Sequence, residues 1–186
     1  MKKLLILCSS LLLCGCSANQ IFEQVKPDYD SSYQIKAEIS FGELEASADV
    51  TRNSKDNWEF CFTEPGYLAG MKLILADDEL TASLGNISIT TEANDYYDLI
   101  PDIIAESIDS LPDIQSENII ENEDVLTLNT VADGKKVIVT SDKSGNLISL
   151  RCPYYKFSVD FSGQEHITSA ETDDNDDMGG VEIISE

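Results

Sequence analysis

The chain has 186 residues, with 12 lysines and arginines against 35 aspartates and glutamates, a formal net charge of −23 at pH 7. That balance excludes a nucleic-acid binder, whose affinity comes from cations displacing phosphate counterions, and it makes adsorption to anionic lipid headgroups unfavourable. With one histidine, and five cysteines that form no CxxC or Cys/His cluster, zinc and thioredoxin-like chemistry have no support, and no metal or cofactor is expected.

The N-terminus reads as a targeting signal. Met1-Lys2-Lys3 precedes an apolar run from Leu4 to Leu13, the cationic start and short h-region of a secretory signal. The run is too short for a membrane-spanning helix, which needs about 20 apolar residues. It ends in Leu13-Cys14-Gly15-Cys16, which resembles the lipobox of bacterial lipoproteins. That resemblance implies removal of residues 1–15, lipidation of Cys16, and anchoring on the outer side of the cell membrane. Acyl chains contribute about 0.8 kcal/mol per buried CH₂, and more than one such chain holds a protein stably.

Residues 16–32 lack a sustained period and read as a tether. From Tyr33 the pattern is period two: Tyr33, Ile35, Ala37, Ile39 and Phe41 alternate with polar residues, Gly42 breaks the run, and Leu44, Ala46, Ala48 and Val50 resume it. This predicts a hairpin of half-buried strands. Trp58, Phe60 and Phe62 form one face of the next strand. "MKLIL", "LTASL" and "ISITTE" follow as short strands separated by Asp77-Asp78 and Gly85-Asn86.

One segment has a different period. Leu99, Ile100, Ile103, Ile104, Ile108 and Leu111 recur at helical spacing, with Pro101 in the first turn and Pro112 beyond the end. Asp98 is the expected cap, and Asp102, Glu106 and Asp109 are expected on the opposite, solvated side. A polar stretch runs from Asp113 to Asp124. Four more strands follow, with turns at Asp133-Gly134 and Lys143-Ser144-Gly145, and the last places Tyr155, Phe157, Val159 and Phe161 on one face. Residues 163–186 are acid-rich and without aromatics, lysine or arginine, a composition that predicts a disordered tail.

The predicted domain, residues 33–162, is mainly β (α+β): about nine to ten antiparallel strands and one amphipathic helix. Strands lie about 4.8 Å apart and a helix is about 10–12 Å across, so one helix cannot cover a flat sheet of that width. The sheet must curve strongly, as a half-barrel, around the helix. This order resembles the LolA/LolB-like lipoprotein carrier fold, in which an unclosed, curved sheet holds a hydrophobic cavity. The stretch "VIVTSDKSGNLISLRCPYYKFSVDF" is similar to that fold's closing strands, with Asp142, Lys143 and Gly145 standing in its "D-K-x-x-G" turn.

The resemblance implies a non-catalytic binding module that holds a lipid or other hydrophobic ligand in the concave sheet. Candidate cavity residues are Ile35, Ile39, Trp58, Phe60, Phe62, Leu73, Ile104, Ile108, Phe157 and Phe161; each could instead be plain core. The alternative is an envelope scaffold or accessory factor that acts through protein contacts with no bound ligand. Expected partners are thus the membrane, through the lipid anchor, and either a hydrophobic ligand or an envelope protein. Cys61 and Cys152 could be bridged, since export permits disulfides, or could be small buried hydrophobes. Catalysis is not expected. His166 lies at the edge of the acidic tail without a second histidine, and Asp173–Asp177 lacks the Gly and Glu spacing of a calcium loop.

Overall fold

The computed structural model describes residues 27–92 and 99–167. Its eleven strands are β1 (Tyr33–Phe41), β2 (Leu44–Ser54), β3 (Asn57–Glu64), β4 (Met71–Ala76), β5 (Glu79–Leu84), β6 (Ile87–Glu92), β7 (Ile119–Asn122), β8 (Val125–Ala132), β9 (Lys135–Asp142), β10 (Leu147–Cys152) and β11 (Phe157–His166), with one helix, α1 (Ile100–Asp109), between β6 and β7. They form one antiparallel sheet in the order β6-β5-β4-β3-β2-β1-β11-β10-β9-β8-β7. Two meanders therefore meet where β1 pairs with β11, and the sheet is open, with β6 and β7 as its edges.

Alternation in the sequence becomes alternation in burial. Tyr33, Ile35, Ala37 and Ile39 of β1 are buried, as are Ala46, Ala48 and Val50 of β2 and Trp58, Phe60 and Phe62 of β3, while the residues between them face outward. On the other wing Val137, Val139, Leu150, Val159 and Phe161 continue the same concave face. The helix lies in that concavity, against β8 and β9 on one side and above β1–β4 on the other. Ile103, Ile104 and Ile108 are at most 1% exposed, so the later part of the apolar stripe of α1 is buried, while Leu99 and Ile100 at its start are half-buried.

The hairpin turns follow residue chemistry. Asp133 and Gly134 adopt φ of 47° and 68°, the paired left-handed conformation whose twist matches a two-residue hairpin. In the Asp142–Asn146 turn, Asp142 Oδ1 accepts the backbone N–H of Ser144 at 2.8 Å and of Asn146 at 2.9 Å, and Oδ2 accepts Asn146 Nδ2 at 2.7 Å. Burial alone would raise the Asp142 carboxyl, but these hydrogen bonds outweigh it and hold it below the ordinary range. Gly145, at φ 92°, has no room for a side chain, because a Cβ there would lie 2.9 Å from Pro27 Cβ.

Five expectations need correction. The strands number eleven, because β7 forms inside the stretch read as a polar connection; its four residues are too few to show a period. The last strand continues to His166, past Gly163, and pairs there with Tyr33; residues 168–186 lie outside the described residues. The end of the expected tether is part of the domain: Tyr29 is 4% exposed and its hydroxyl lies 2.7 Å from Ser141 Oγ. The cap position of α1 is Leu99, with no side-chain hydrogen bond, and Asp98 lies outside the described residues. Asp109 is buried against the sheet instead of solvated.

Candidate functional site

The concave face is unevenly filled. Toward one end of the strands, α1 covers the sheet incompletely and leaves a pocket of about 400 Å³. Its floor is Ile39 and Phe41 of β1, Leu44 and Ala46 of β2, Phe62 of β3 and Met71 and Leu73 of β4. Its roof is Leu99, Ile100, Pro101 and Ile103 at the start of α1, with Leu68 and Tyr155 closing the sides. No charged side chain lines it. Ligand pockets typically run from about 300 to 1,000 Å³ and are mostly apolar with few polar groups. Tyr155 supplies one polar group, but its hydroxyl is turned to Asp133 Oδ2, to which it donates at 2.8 Å.

Local sequence explains the opening. Ile39 stands opposite Ala46 across β1 and β2, and Ala37 opposite Ala48. Ala37 and Ala48 admit the neighbouring aromatic rings into a closed core, whereas Ala46 sits under the first turn of α1, where nothing larger fills the space. On β5 and β6, Leu84 and Ile87 stand opposite each other and continue the same face beyond Met71, at 50% and 71% exposure.

Of the ten residues expected to line a cavity, the structure places Ile39, Phe62 and Leu73 in the pocket. Ile35, Trp58, Phe60, Ile104, Ile108, Phe157 and Phe161 are packed in the core at no more than 8% exposure and line no part of the apolar pocket. The helix residues expected at the cavity, Ile104 and Ile108, lie further along α1; those that line the pocket are Leu99, Ile100, Pro101 and Ile103 at its start. Leu68 and Tyr155 sit in turns, where no periodicity could select them.

Toward the other end, α1 is closed down by a buried charge network. The carboxylate of Asp109 accepts Arg52 Nε at 2.9 Å through Oδ1, and through Oδ2 it accepts Trp58 Nε1 at 2.8 Å and the backbone N–H of Asp56 at 2.9 Å. Arg52 Nη2 lies 2.9 Å from the same Oδ1, as an ion pair without a well-directed hydrogen bond. Arg52 Nη1 donates to the carbonyls of Asp30 at 2.6 Å and Ser31 at 3.1 Å. Neither the helix end, nor β2, nor the N-terminal segment can leave without stranding a buried charge. The neighbouring cleft is rimmed by acids, among them Asp56, Asp78, Glu79, Asp102 and Glu106. Burial, and then Glu106 and Asp133, push the Asp102 carboxyl up.

Cys61 and Cys152 are free thiols, which corrects the bridged alternative. Cys61 sits on the outer face of β3, where its thiol donates to Glu59 Oε1 at 3.3 Å, while Cys152 is buried on the concave side of β10. Four strand spacings separate β3 from β10, and a disulfide needs Cα atoms within about 7 Å. His166 stands on β11, with Nδ1 2.9 Å from Ser31 Oγ in an exposed pair. Among the described residues no group of three or more His, Cys, Asp or Glu side chains is placed to hold a metal ion. No helix among them is long and apolar enough to cross a membrane. Cys16 lies outside the described residues.

No protein-family model matches the sequence, and no curated protein matches it. Among solved structures, the chain aligns with a LolA superfamily protein from Nitrosomonas europaea at a TM-score of 0.40 and 12% identity, over 78% of this chain and 90% of that one. An outer membrane lipoprotein-sorting protein domain from Vibrio parahaemolyticus aligns at a TM-score of 0.38 and 11% identity, over 80% and 90%. An uncharacterized conserved protein from Thermus thermophilus reaches a TM-score of 0.50 at 12% identity, over 76% of this chain and 82% of that one. The likeness to the Thermus protein is one of fold: the described residues form an open antiparallel sheet with α1 on its concave face.

Proposed function

We propose that the protein is a lipid-anchored lipoprotein of the bacterial envelope that holds a hydrophobic ligand, an acyl chain or similar group, under the first turns of α1. The observation that carries this reading is the pocket of about 400 Å³, walled by aliphatic and aromatic side chains and free of charge. A protein with 35 acidic residues has ample charged side chains to fill or rim such a space, yet none is among its lining residues. The lipobox-like Leu13-Cys14-Gly15-Cys16 supports an anchor at Cys16, and the Asp142-Lys143-Ser144-Gly145 turn supports the likeness to lipoprotein carriers. The protein acts by binding and needs no cofactor for it.

The test is saturable binding of a fluorescent fatty-acid analogue to the purified protein, repeated with Ala46→Phe. That phenyl ring grows from the pocket floor into the cavity, so binding should be lost while the far-ultraviolet circular dichroism is kept. Absence of saturable binding, or equal binding by Ala46→Phe, refutes the pocket as a ligand site. For the anchor, Cys16→Ser should abolish lipidation and leave residues 1–15 uncleaved. A variant that remains membrane-bound at its processed mass refutes it.

A further inference from the structure

The pocket opens at one end of the strands, and the register assigns every turn to that end or to the other. At the mouth lie the β1–β2, β3–β4, β5–β6, β8–β9 and β10–β11 turns. They and their flanks present Phe41 at 43%, Tyr67 at 70%, Leu84 at 50%, Ile87 at 71% and Tyr154 at 67% exposure. The four turns at the opposite end, β2–β3, β4–β5, β7–β8 and β9–β10, and the strand residues that adjoin them present no exposed large hydrophobic residue. Near that end Ile120, Ile148 and Ile167 are exposed singly, at 59%, 40% and 43%, and none adjoins the pocket. At the mouth the exposed side chains adjoin the pocket or belong to it. Phe41 lines it, Tyr67 precedes the lining Leu68, Leu84 pairs with the lining Met71, and Tyr154 packs edge-on against the lining Tyr155 at 4.9 Å between centroids.

Charge divides the same way. The opposite end carries Asp56, Asp77, Asp78, Glu123 and Asp124 in its turns against Lys55 and Lys143. At the mouth, counted with the strand residues that adjoin the turns, Lys135 and Lys156 stand against Glu43, Glu64 and Asp133, a smaller excess of acid. Lys135 Nζ sits 4.8 Å over the Tyr154 ring. On a strongly acidic protein, this is the end that approaches lipid headgroups with less repulsion than the other. Tyrosines with lysines beside them, over an aliphatic patch, are the side chains that settle at a membrane–water interface, where a ring is half wet and half apolar.

We infer that the mouth is a docking surface for a lipid bilayer, so that an apolar ligand passes between bilayer and pocket without crossing water. This rests on the pocket as ligand site and names the partner of that site. Tyr67 and Tyr154 are the outermost contacts, with Leu84 and Ile87 forming the apolar slope that leads from the bilayer to Met71.

The experiment places a reporter at each end of the full chain bound to phosphatidylcholine vesicles that contain brominated acyl chains. Tyr67→Trp and Tyr154→Trp report the mouth, Ile167→Trp reports the far end, and buried Trp58, at 0% exposure, serves as an internal reference. The expected result is a blue shift and loss of emission for both mouth tryptophans and neither for Ile167→Trp. If the mouth tryptophans are quenched no more than Ile167→Trp, the bilayer is not the partner and the apolar rim belongs to a protein surface. Binding of the fluorescent fatty acid, measured without vesicles, separates the two readings. Binding without quenching overturns the docking alone. Quenching without binding upholds the docking and overturns the pocket as ligand site.

Discussion

The two ends of α1 solve the same packing problem in opposite ways. At its C-terminal end an acid, Asp109, sits where the helix macrodipole disfavours negative charge, and a buried arginine, an indole N–H and a backbone N–H all converge on it. At its N-terminal end Leu99 caps without a side-chain hydrogen bond, Pro101 occupies the first turn, and the side chains below do not close up. One end is fixed by groups that cannot be left unpaired, and the other is held by contacts that can be exchanged. A fixed end gives the helix one position on the sheet, and the other end leaves a space beneath it.

The sharpest way to break that contrast is to remove the fixed end. Arg52→Met leaves Asp109 buried without its cation, and unfolding in urea should show a loss of about 3–5 kcal/mol. Adding Asp109→Leu to that variant should recover part of the loss, because the stranded charge is then gone; no recovery would mean that Arg52 acts mainly through the Asp30 and Ser31 carbonyls. Next comes the pair of isoleucines at the two ends of the helix. Ile108→Ala, in the closed core at 1% exposure, should cost about 2–5 kcal/mol. Ile100→Ala, in the pocket roof, should cost about 1 kcal/mol. A fatty-acid ligand at about a hundred times its Kd should add about 2.7 kcal/mol to the wild type, and an equal cost at both positions with no ligand response would erase the difference between the ends.

Smaller effects appear in the pH dependence. The depressed Asp142 carboxyl contributes stability that is complete above its ordinary value of 3.8 and is lost as pH falls through the lower folded value. Asp142→Ala should therefore cost about 0.5–1.5 kcal/mol at pH 7, with the gap from wild type closing under acid. Asp102 has the opposite sign, since burial, Glu106 and Asp133 raise it, so stability is lost as pH rises from 3.8 through the folded value. Asp102→Asn should stabilise the protein at pH 7 by about 0.5 kcal/mol, an advantage that disappears below that range. Urea midpoints between pH 3 and 7 measure both.

The strands of β1, β2, β3, β8, β9 and β11 were legible because each has one wet and one dry face, which writes a period of two into the sequence. The helix was legible from its isoleucine stripe. What stayed hidden depends on partners far away in the chain. Asp109 looks solvated by helical phase alone, and only Arg52, on a strand 57 residues earlier, makes it a core residue. Tyr29 is a single aromatic among polar neighbours, and its place is set by Ser141, 112 residues later. The pocket itself could be anticipated from a sheet too wide for one helix, but which residues line it depends on the loop residues Leu68 and Tyr155, where sequence carries no phase.

The N-terminal segment joins the domain at the end away from the mouth, where Pro27 lies against Gly145 and Tyr29 against Ser141. With Cys16 as the anchored residue, eleven residues lead to Pro27, a leash whose full extension is about 36–40 Å. The nine residues of β1 span about 30 Å from one end of the sheet to the other. The leash thus exceeds the height of the domain by only a few residues, which makes it a ruler. Under the proposed anchor and docking, that length lets the domain invert and bring its mouth to its own membrane. Shortened by four residues, about 13 Å at strand spacing, it could no longer do so, and the mouth would reach only surfaces on the far side.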